Sequence, residues 1–227
     1  MVIVGLTGSI GMGKTTTAGM FRGLGVAVYD SDAAVHGLLA RGGGAVAAVE
    51  AAFPGAVRDG AVDRAVLRER VFADGEALRR LEAIVHPRVR RVQRAFLRRA
   101  AARGERLVVL DIPLLFEVGM AWQCDAVVVV TAPSFLQRAR VLARPGMTEE
   151  TLAGILANQL PDREKRRRAD FVVQTGLGRG FALRRLEWIV RVMSRRRGRF
   201  WPPRAHLPQP SRYARNRPRY RNDRSRP

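Results

Sequence analysis

The chain contains a single cysteine, Cys124, and only three histidines among its 227 residues. One cysteine excludes an internal disulfide and is typical of a reducing compartment, and no His/Cys cluster has the spacing of metal ligands. No stretch approaches the roughly 18 apolar residues that a membrane span requires, and the first residues lack the cationic region of a signal peptide. These absences predict a cytoplasmic protein with no membrane span.

Acidic residues and lysine are also scarce. The 41 cationic residues outnumber the 20 acidic ones, which gives a net charge of +21, and only two of the cations are lysines, Lys14 and Lys165. A lysine retained among so many arginines indicates a site that needs a compact ammonium group rather than a planar guanidinium. Lys14 is therefore a candidate functional residue.

Much of the excess charge lies in residues 195–227, which hold twelve arginines and one acid. This composition, with proline and serine between the arginines, predicts a disordered basic tail. Arginines interleaved with tyrosines can bind nucleic acid or an anionic surface weakly. The alternative is an extension that is tolerated because it is soluble and has no role.

The strongest motif is a glycine-rich stretch between an apolar run at 2–7 and a helical pattern that ends at Leu24. Strand, G-x-x-x-x-G-K-[ST] and helix together are the context of a phosphate-binding P-loop. Its backbone N–H groups bind phosphate, Lys14 reaches the β- and γ-phosphates, and Thr15 offers a hydroxyl to Mg²⁺. ATP and Mg²⁺ are the expected ligands. The predicted binding residues are Gly8, Ser9, Ile10, Gly11, Met12, Gly13, Lys14, Thr15 and Thr16.

Two further strands end in acids, at the edge where parallel sheets bind ligands. Asp30 and Asp32 follow the short strand 26–29, and Asp111 ends the apolar strand 107–110. Asp32 can take a proton from a substrate hydroxyl or accept a hydrogen bond from a sugar hydroxyl, or it can cap the next helix. Asp30 is assigned to local structure or to the surroundings of a metal. Asp111 matches a Walker B acid that steers Mg²⁺ through water.

The alternation of strands and helices predicts an α/β fold with a five-stranded parallel sheet. Residues 1–34 and 104–194 form the predicted nucleotide-binding core. The segment 35–103 is too long for an ordinary crossover helix, and we interpret it as an inserted helical lobe. Within that lobe Pro87 is expected in the first turn of a helix that runs to about residue 102.

A lid is predicted at about residues 138–165. Arg140 and Arg144 are four residues apart on one helix face, where they can close on a triphosphate and spread transition-state charge. The alternative is a basic, solvated helix face. Thr175, at the exit of the last strand, is expected near the adenine. His86 either packs or contacts the substrate.

Beyond the P-loop, an ordered set of motifs resembles the bacterial dephospho-CoA kinase family over residues 1 to about 193. The P-loop alone would not single out this family, but the His-Pro, Pro-Leu-Leu-Phe-Glu and late Ala-Asp motifs together do. The matching residues are Gly5-Leu6-Thr7-Gly8, Asp30-x-Asp32, Asp63-Arg64, Leu81-Glu82-x-Ile84-x-His86-Pro87, Pro113-Leu114-Leu115-Phe116-Glu117, Gln137-x-x-Arg140, Gln159, Lys165 and Ala169-Asp170.

The resemblance implies a P-loop kinase core with a CoA-binding lobe and a lid, which phosphorylates the ribose 3′-hydroxyl of dephospho-CoA with ATP. Asp32 would accept the hydroxyl proton, and Arg140 would lie on the transferred phosphoryl group. His86, Leu114 and Glu117 would belong to the acceptor site. This chain departs from the family at Ser9, where glycine is usual, and at Thr175, where many members have asparagine.

Two other functions stay open at this point. One is a P-loop kinase for a nucleoside or another small molecule, and the other is an RNA-associated ATPase that uses the basic tail. The chain has no N-K-x-D or D-x-x-G motif, which argues against a GTPase. We expect a monomer.

Overall fold

The computed structural model describes residues 1–72 and 74–202, and its central feature is a parallel sheet of five strands. The strands of the described chain are β1 (Val2–Thr7), β2 (Ala27–Asp30), β3 (Val57–Arg58), β4 (Ala61–Val62), β5 (Leu107–Asp111), β6 (Ala126–Thr131) and β7 (Phe171–Gln174). The sheet has the order β2-β5-β1-β6-β7, and β3 and β4 form a separate two-stranded hairpin.

The helices cover both faces of this sheet and build a lobe beside it. They are α1 (Lys14–Gly23), α2 (Ser31–Leu39), α3 (Val46–Ala52), α4 (Arg64–Phe72), α5 (Gly75–Ala102), α6 (Ser134–Leu142), α7 (Glu149–Ala157), α8 (Asp162–Arg168) and α9 (Arg179–Ser194), with a 3₁₀ turn at Met120–Gln123.

The central strands form because their apolar, largely β-branched runs are buried on both faces, as parallel sheets require. Every residue of β1, β5 and β6 is buried. The register pairs Asp30 at the end of β2 with Asp111 at the end of β5. The register and strand order therefore bring the P-loop and the two acid-tipped strands to one edge, and the five-stranded α/β fold predicted from the sequence is confirmed.

The helical lobe has a hydrophobic core of its own, which includes Leu39, Val49 and Phe53. Its longest helix, α5, runs without interruption through Pro87, so our prediction that Pro87 begins a new helix is wrong. Proline has no N–H for the carbonyl four residues back, but packing along α5 outweighs that loss. Arg88 also supports this turn, because its side chain donates to the carbonyls of Ile84 (2.7 Å) and Gly44 (2.8 Å).

The chain beyond α9 lies against the core before it enters the basic tail. The Arg199 N–H donates to the buried Asp125 carboxylate at 2.7 Å, and Phe200 and Trp201 pack on the cluster around the sheet. The tail boundary that we predicted at residue 195 is therefore too early, because two aromatic side chains in an arginine-rich stretch find apolar partners. The rest of the predicted tail, residues 203–227, lies outside the described residues.

Within the described ranges, no helix combines the length and apolar character needed to cross a membrane.

Candidate active site

A cleft of about 570 Å³ opens at the carboxyl edge of the sheet, above the P-loop. It brings together residues that are distant in the sequence, from the P-loop, the start of α2, the lid segment and the exit of β7. Besides the predicted P-loop residues 8–16, its walls include Asp32, Pro113, Arg140, Arg144, Gln159, Thr175 and Arg179.

The P-loop fits this position because two of its glycines leave no room for a side chain. A Cβ on Gly8 would lie 2.8 Å from the Val130 carbonyl oxygen. Gly13 has φ 89°, and a Cβ there would lie 3.0 Å from the Thr175 hydroxyl. Since only glycine adopts such a backbone readily, the motif is required by close packing against β6 and by the turn into α1.

Three successive P-loop carbonyls accept hydrogen bonds from side chains outside the loop. Because each peptide plane is held through its carbonyl, the N–H groups of Gly11 and Gly13 on the other side of the loop stay available for phosphate. The Met12 N–H instead donates to the Ser9 carbonyl at 3.2 Å. The bonds run from Gln137 Nε2 to Ile10 O (2.8 Å), from Arg140 Nη1 to Gly11 O (3.4 Å) and from Thr175 Oγ1 to Met12 O (2.8 Å).

Lys14 points into the site and pairs with Asp111, with 2.7 Å between Nζ and Oδ1. Burial raises the pKa of the Asp111 carboxyl, the Lys14 ammonium opposes this rise, and the charges of Asp30 and Asp32 add to it. Three carboxylates and one ammonium therefore meet at this edge of the sheet. A cation or a nucleotide with bound metal is suited to such a field.

The two acids after β2 have different positions. Asp30 caps α2, since its Oδ1 accepts the Ala33 N–H at 3.0 Å, which agrees with the local role expected for it. Asp32 lies in the first turn of the helix, is exposed and lines the cleft. The functional role of Asp32 stays a prediction, and its side chain lies on the wall of the cleft.

The lid arginines also line the cleft, but Arg140 is partly engaged within the protein. Its Nη1 and Nη2 donate to the Oγ1 and carbonyl oxygen of Thr175, each at 3.1 Å. Arg140 therefore joins the lid to the exit of β7 in this conformation. Arg144, one helical turn further, lines the same cleft.

Three predicted acceptor residues lie away from this cleft. His86 is exposed within α5, and Leu114 is partly exposed on the loop after β5. Glu117 faces inward, where its Oε1 lies 2.9 Å from Lys165 Nζ and accepts the Leu160 N–H at 2.9 Å. Glu117 thus forms a buried ion pair with the second lysine of the chain.

Sequence reasoning assigned no role to Gln137 and Gln159, although it included both in the motif pattern. Both side chains bind the backbone of Ile10. Gln137 Nε2 donates to the Ile10 carbonyl, and the Ile10 N–H donates to Gln159 Oε1 at 3.2 Å. Only the positions of α6 and of the segment before α8 reveal this arrangement.

Comparison with known proteins decides the family. The dephospho-CoA kinase family model matches residues 2–177. The chain belongs to the dephospho-CoA kinase family. A relative named dephospho-CoA kinase from Paramagnetospirillum magneticum is 66% identical over 166 residues, covering 73% of this chain and 78% of the relative. One from Mesorhizobium japonicum is 58% identical over 198 residues, covering 87% of this chain and all of the relative.

A solved structure shares the fold over most of both chains. The crystal structure of TT1252 from Thermus thermophilus has a TM-score of 0.74 and 39% identity, and the match covers 84% of this chain and 96% of that one. The family model and the curated relatives confirm the family resemblance seen in the sequence. They favour a dephospho-CoA kinase over another small-molecule kinase and over an RNA-associated ATPase.

Within this family, the two departures noted in the sequence have clear positions. Ser9 is buried, with 4% of its surface exposed, and its small side chain is accommodated in the loop. The Thr175 hydroxyl binds the Met12 carbonyl of the P-loop. The Thr175 hydroxyl thus helps to hold the P-loop backbone in place.

Proposed function

We propose that this protein transfers the γ-phosphoryl group of ATP to the ribose 3′-hydroxyl of dephospho-CoA, giving coenzyme A and ADP, the last step of coenzyme A synthesis. The observation that carries the proposal is that Lys14 and Asp32 line the same cleft. An ammonium for the phosphates and a carboxylate for a hydroxyl are the two groups that such a transfer needs.

The phosphate side of the reaction depends on positioning and charge. The loop N–H groups and the start of α1 bind the β-phosphate, and Lys14 leaves Asp111 for the β/γ-phosphates when ATP enters. Arg140 and Arg144 approach the γ-phosphoryl group from the lid, with Arg140 exchanging its bonds to Thr175 for phosphate oxygens. Since phosphoryl transfer needs little covalent help, these contacts supply most of the rate enhancement.

The acceptor side depends on Asp32. In our proposal its exposed carboxylate accepts the 3′-hydroxyl proton as the oxygen attacks the γ-phosphorus. His86 and Leu114 then contact more distant parts of dephospho-CoA, whereas Glu117 acts indirectly through its buried pair with Lys165. We assign the helical lobe, residues 35–103, to binding of the acceptor and the segment at about 138–165 to the lid.

The residues at the base of the cleft fit a magnesium ion that binds together with the nucleotide. Mg²⁺ is usually held by one or two carboxylates, substrate phosphates and water, and no three His, Cys, Asp or Glu side chains among the described residues could form a metal site by themselves. Thr15 would bind the ion directly and Asp111 through water. When bound, the ion neutralises charge on the β- and γ-phosphates.

Two substitutions test the assignment. Lys14→Ala should abolish turnover of ATP and dephospho-CoA. Asp32→Asn should lower kcat on the order of 10²-fold or more, the scale of general-base catalysis, with little change in ATP affinity. Coupled ADP release measures both.

Asp59→Asn is the matched control, since Asp59 is exposed in a turn with φ 49° that asparagine tolerates. Turnover close to wild type in Asp32→Asn would remove Asp32 from the mechanism. A nucleoside acceptor that outperforms dephospho-CoA would overturn the proposed substrate.

A further inference from the structure

Gln159 lies in the short connection between α7 and α8, where its side chain contacts the P-loop. Its side-chain Oε1 accepts the N–H of Ile10 at 3.2 Å. The residue is half-buried and lines the same cleft as Lys14 and Asp32. Gln159 therefore shares a cleft with the phosphate-binding loop and the predicted base.

The backbone around Gln159 is firmly anchored. The next residue, Leu160, donates its N–H to Glu117 Oε1 at 2.9 Å, and the same oxygen lies 2.9 Å from Lys165 Nζ. Lys165 is fully buried and belongs to α8, which follows directly. This anchor holds the connection against the loop after β5, so the Gln159 side chain is presented to the cleft from a fixed backbone.

The chemistry of the amide indicates what it can bind. A glutamine side chain has one carbonyl oxygen and an NH₂ group with two donors. The Gln159 oxygen accepts the Ile10 N–H. This hydrogen bond fixes the orientation of the amide and leaves its NH₂ group, Nε2, on the side away from Ile10. Among residues 1–72 and 74–202, Nε2 makes no hydrogen bond. An unused NH₂ donor in the cleft that Lys14 and the P-loop also line is matched to phosphate oxygens.

We propose that Gln159 donates a hydrogen bond from Nε2 to the γ-phosphoryl group of bound ATP. This inference rests on the proposed function for the identity of the nucleotide. The hydrogen bond to Ile10 keeps the amide in the donating orientation, and the contact strengthens as charge spreads over the equatorial oxygens during transfer. Gln159 is thereby a catalytic residue that completes the ring of donors formed by the P-loop, Lys14 and Arg140.

The substitution Gln159→Glu removes this donor and adds a negative charge. It keeps an oxygen for the Ile10 N–H and nearly the same shape, but replaces the donor by an anionic oxygen. We expect kcat to fall on the order of 10²-fold, as when one oxyanion donor is lost. Affinity for an ATP analogue with a non-hydrolysable β,γ-bridge should fall about 10-fold or more, and ADP affinity should fall less because ADP has no γ-phosphoryl group.

The control is Asn158→Asp, the same amide-to-acid change one residue earlier. Asn158 is exposed and donates to the Gly154 carbonyl at 2.9 Å, outside the cleft. Its kcat and its analogue-to-ADP affinity ratio should match wild type. If Gln159→Glu is poorly folded, Gln159→Met removes the donor without adding charge and should still lower analogue affinity about 10-fold.

Calorimetry of the analogue and of ADP separates this proposal from the proposed function, because neither measurement needs an acceptor. A selective loss of analogue binding supports the contact even if dephospho-CoA proves not to be the substrate. Equal losses for analogue and ADP would show that Gln159 acts only by shaping the P-loop, and unchanged binding with unchanged kcat would also overturn the inference.

Discussion

The buried pair between Lys165 and Glu117 offers a sharp test of how this fold tolerates charge in its interior. Lys165 has no exposed surface, and the Glu117 side chain is 8% exposed. The two groups lie 2.9 Å apart, yet within the described chain Lys165 Nζ and Glu117 Oε2 have no well-aligned hydrogen-bond partner. The desolvation of both ions is therefore only partly offset.

Replacing Lys165 with methionine keeps the side-chain volume but leaves the Glu117 carboxylate without its counter-ion. Removal of one partner from a buried pair destabilises a protein by about 3–5 kcal/mol. For a folded domain of this size each kcal/mol lowers Tm by about 2–4 °C. We expect a decrease in Tm of about 6–20 °C, measured by circular dichroism or calorimetry.

The double variant Lys165→Met/Glu117→Leu should recover much of this loss, because replacing both ions by apolar groups is often neutral or favourable. The recovery is incomplete, since the Leu160 N–H loses its acceptor, at about 1–3 kcal/mol for a buried donor.

Arg167→Met in the same helix is the control. It removes an exposed pair with Glu164 at 3.2 Å, which contributes less than about 1 kcal/mol. A Lys165→Met protein as stable as the control, or a double variant less stable than Lys165→Met, would refute the reasoning.

Two further predictions concern groups whose pKa is shifted by burial. Burial raises the pKa of the Cys124 thiol, with Asp125 and Asp170 adding to the shift. Because the thiolate is the reactive form, a thiol reagent should react slowly with the native protein and rapidly in denaturant. A fast reaction with the native protein would contradict this. Burial, with a smaller effect of Asp30, raises the pKa of Tyr29 from 10.0 to about 12. The ultraviolet titration difference between wild type and Tyr29→Phe should therefore appear near pH 12, and a difference centred near pH 10 would contradict it. Since the folded state holds this proton more tightly, the associated stability is complete below pH 10 and is lost as pH rises toward about 12.

Sequence patterns predicted those parts of the site that depend on local backbone geometry. The P-loop is one such part, because a strand, three glycines and a helix start fix where its N–H groups point. The scarcity of lysine was equally informative, since both Lys14 and Lys165 prove to be paired with buried carboxylates. Compact ammonium groups suit such positions better than guanidinium groups, which need space for a planar fork.

Other predictions failed where packing overrides composition. The arginine-rich stretch after Ser194 reads as a tail, yet Phe200 and Trp201 pack against the core. Pro87 reads as a helix start, yet α5 continues through it because the lobe core and the sheet bury its length. In each case burial of apolar surface outweighs a local preference that is worth only a few kcal/mol.

The amino-acid sequence by itself determined that this protein has a P-loop followed by acid-tipped strands, because those motifs are encoded by neighbouring residues. Only the tertiary structure decided which distant side chains share the site. Gln159 meets Ile10 across 149 positions of the chain, and Glu117 meets Lys165 rather than the cleft. The order of the strands and the seating of α6 and α8 against the sheet set these contacts, and no local pattern specifies them.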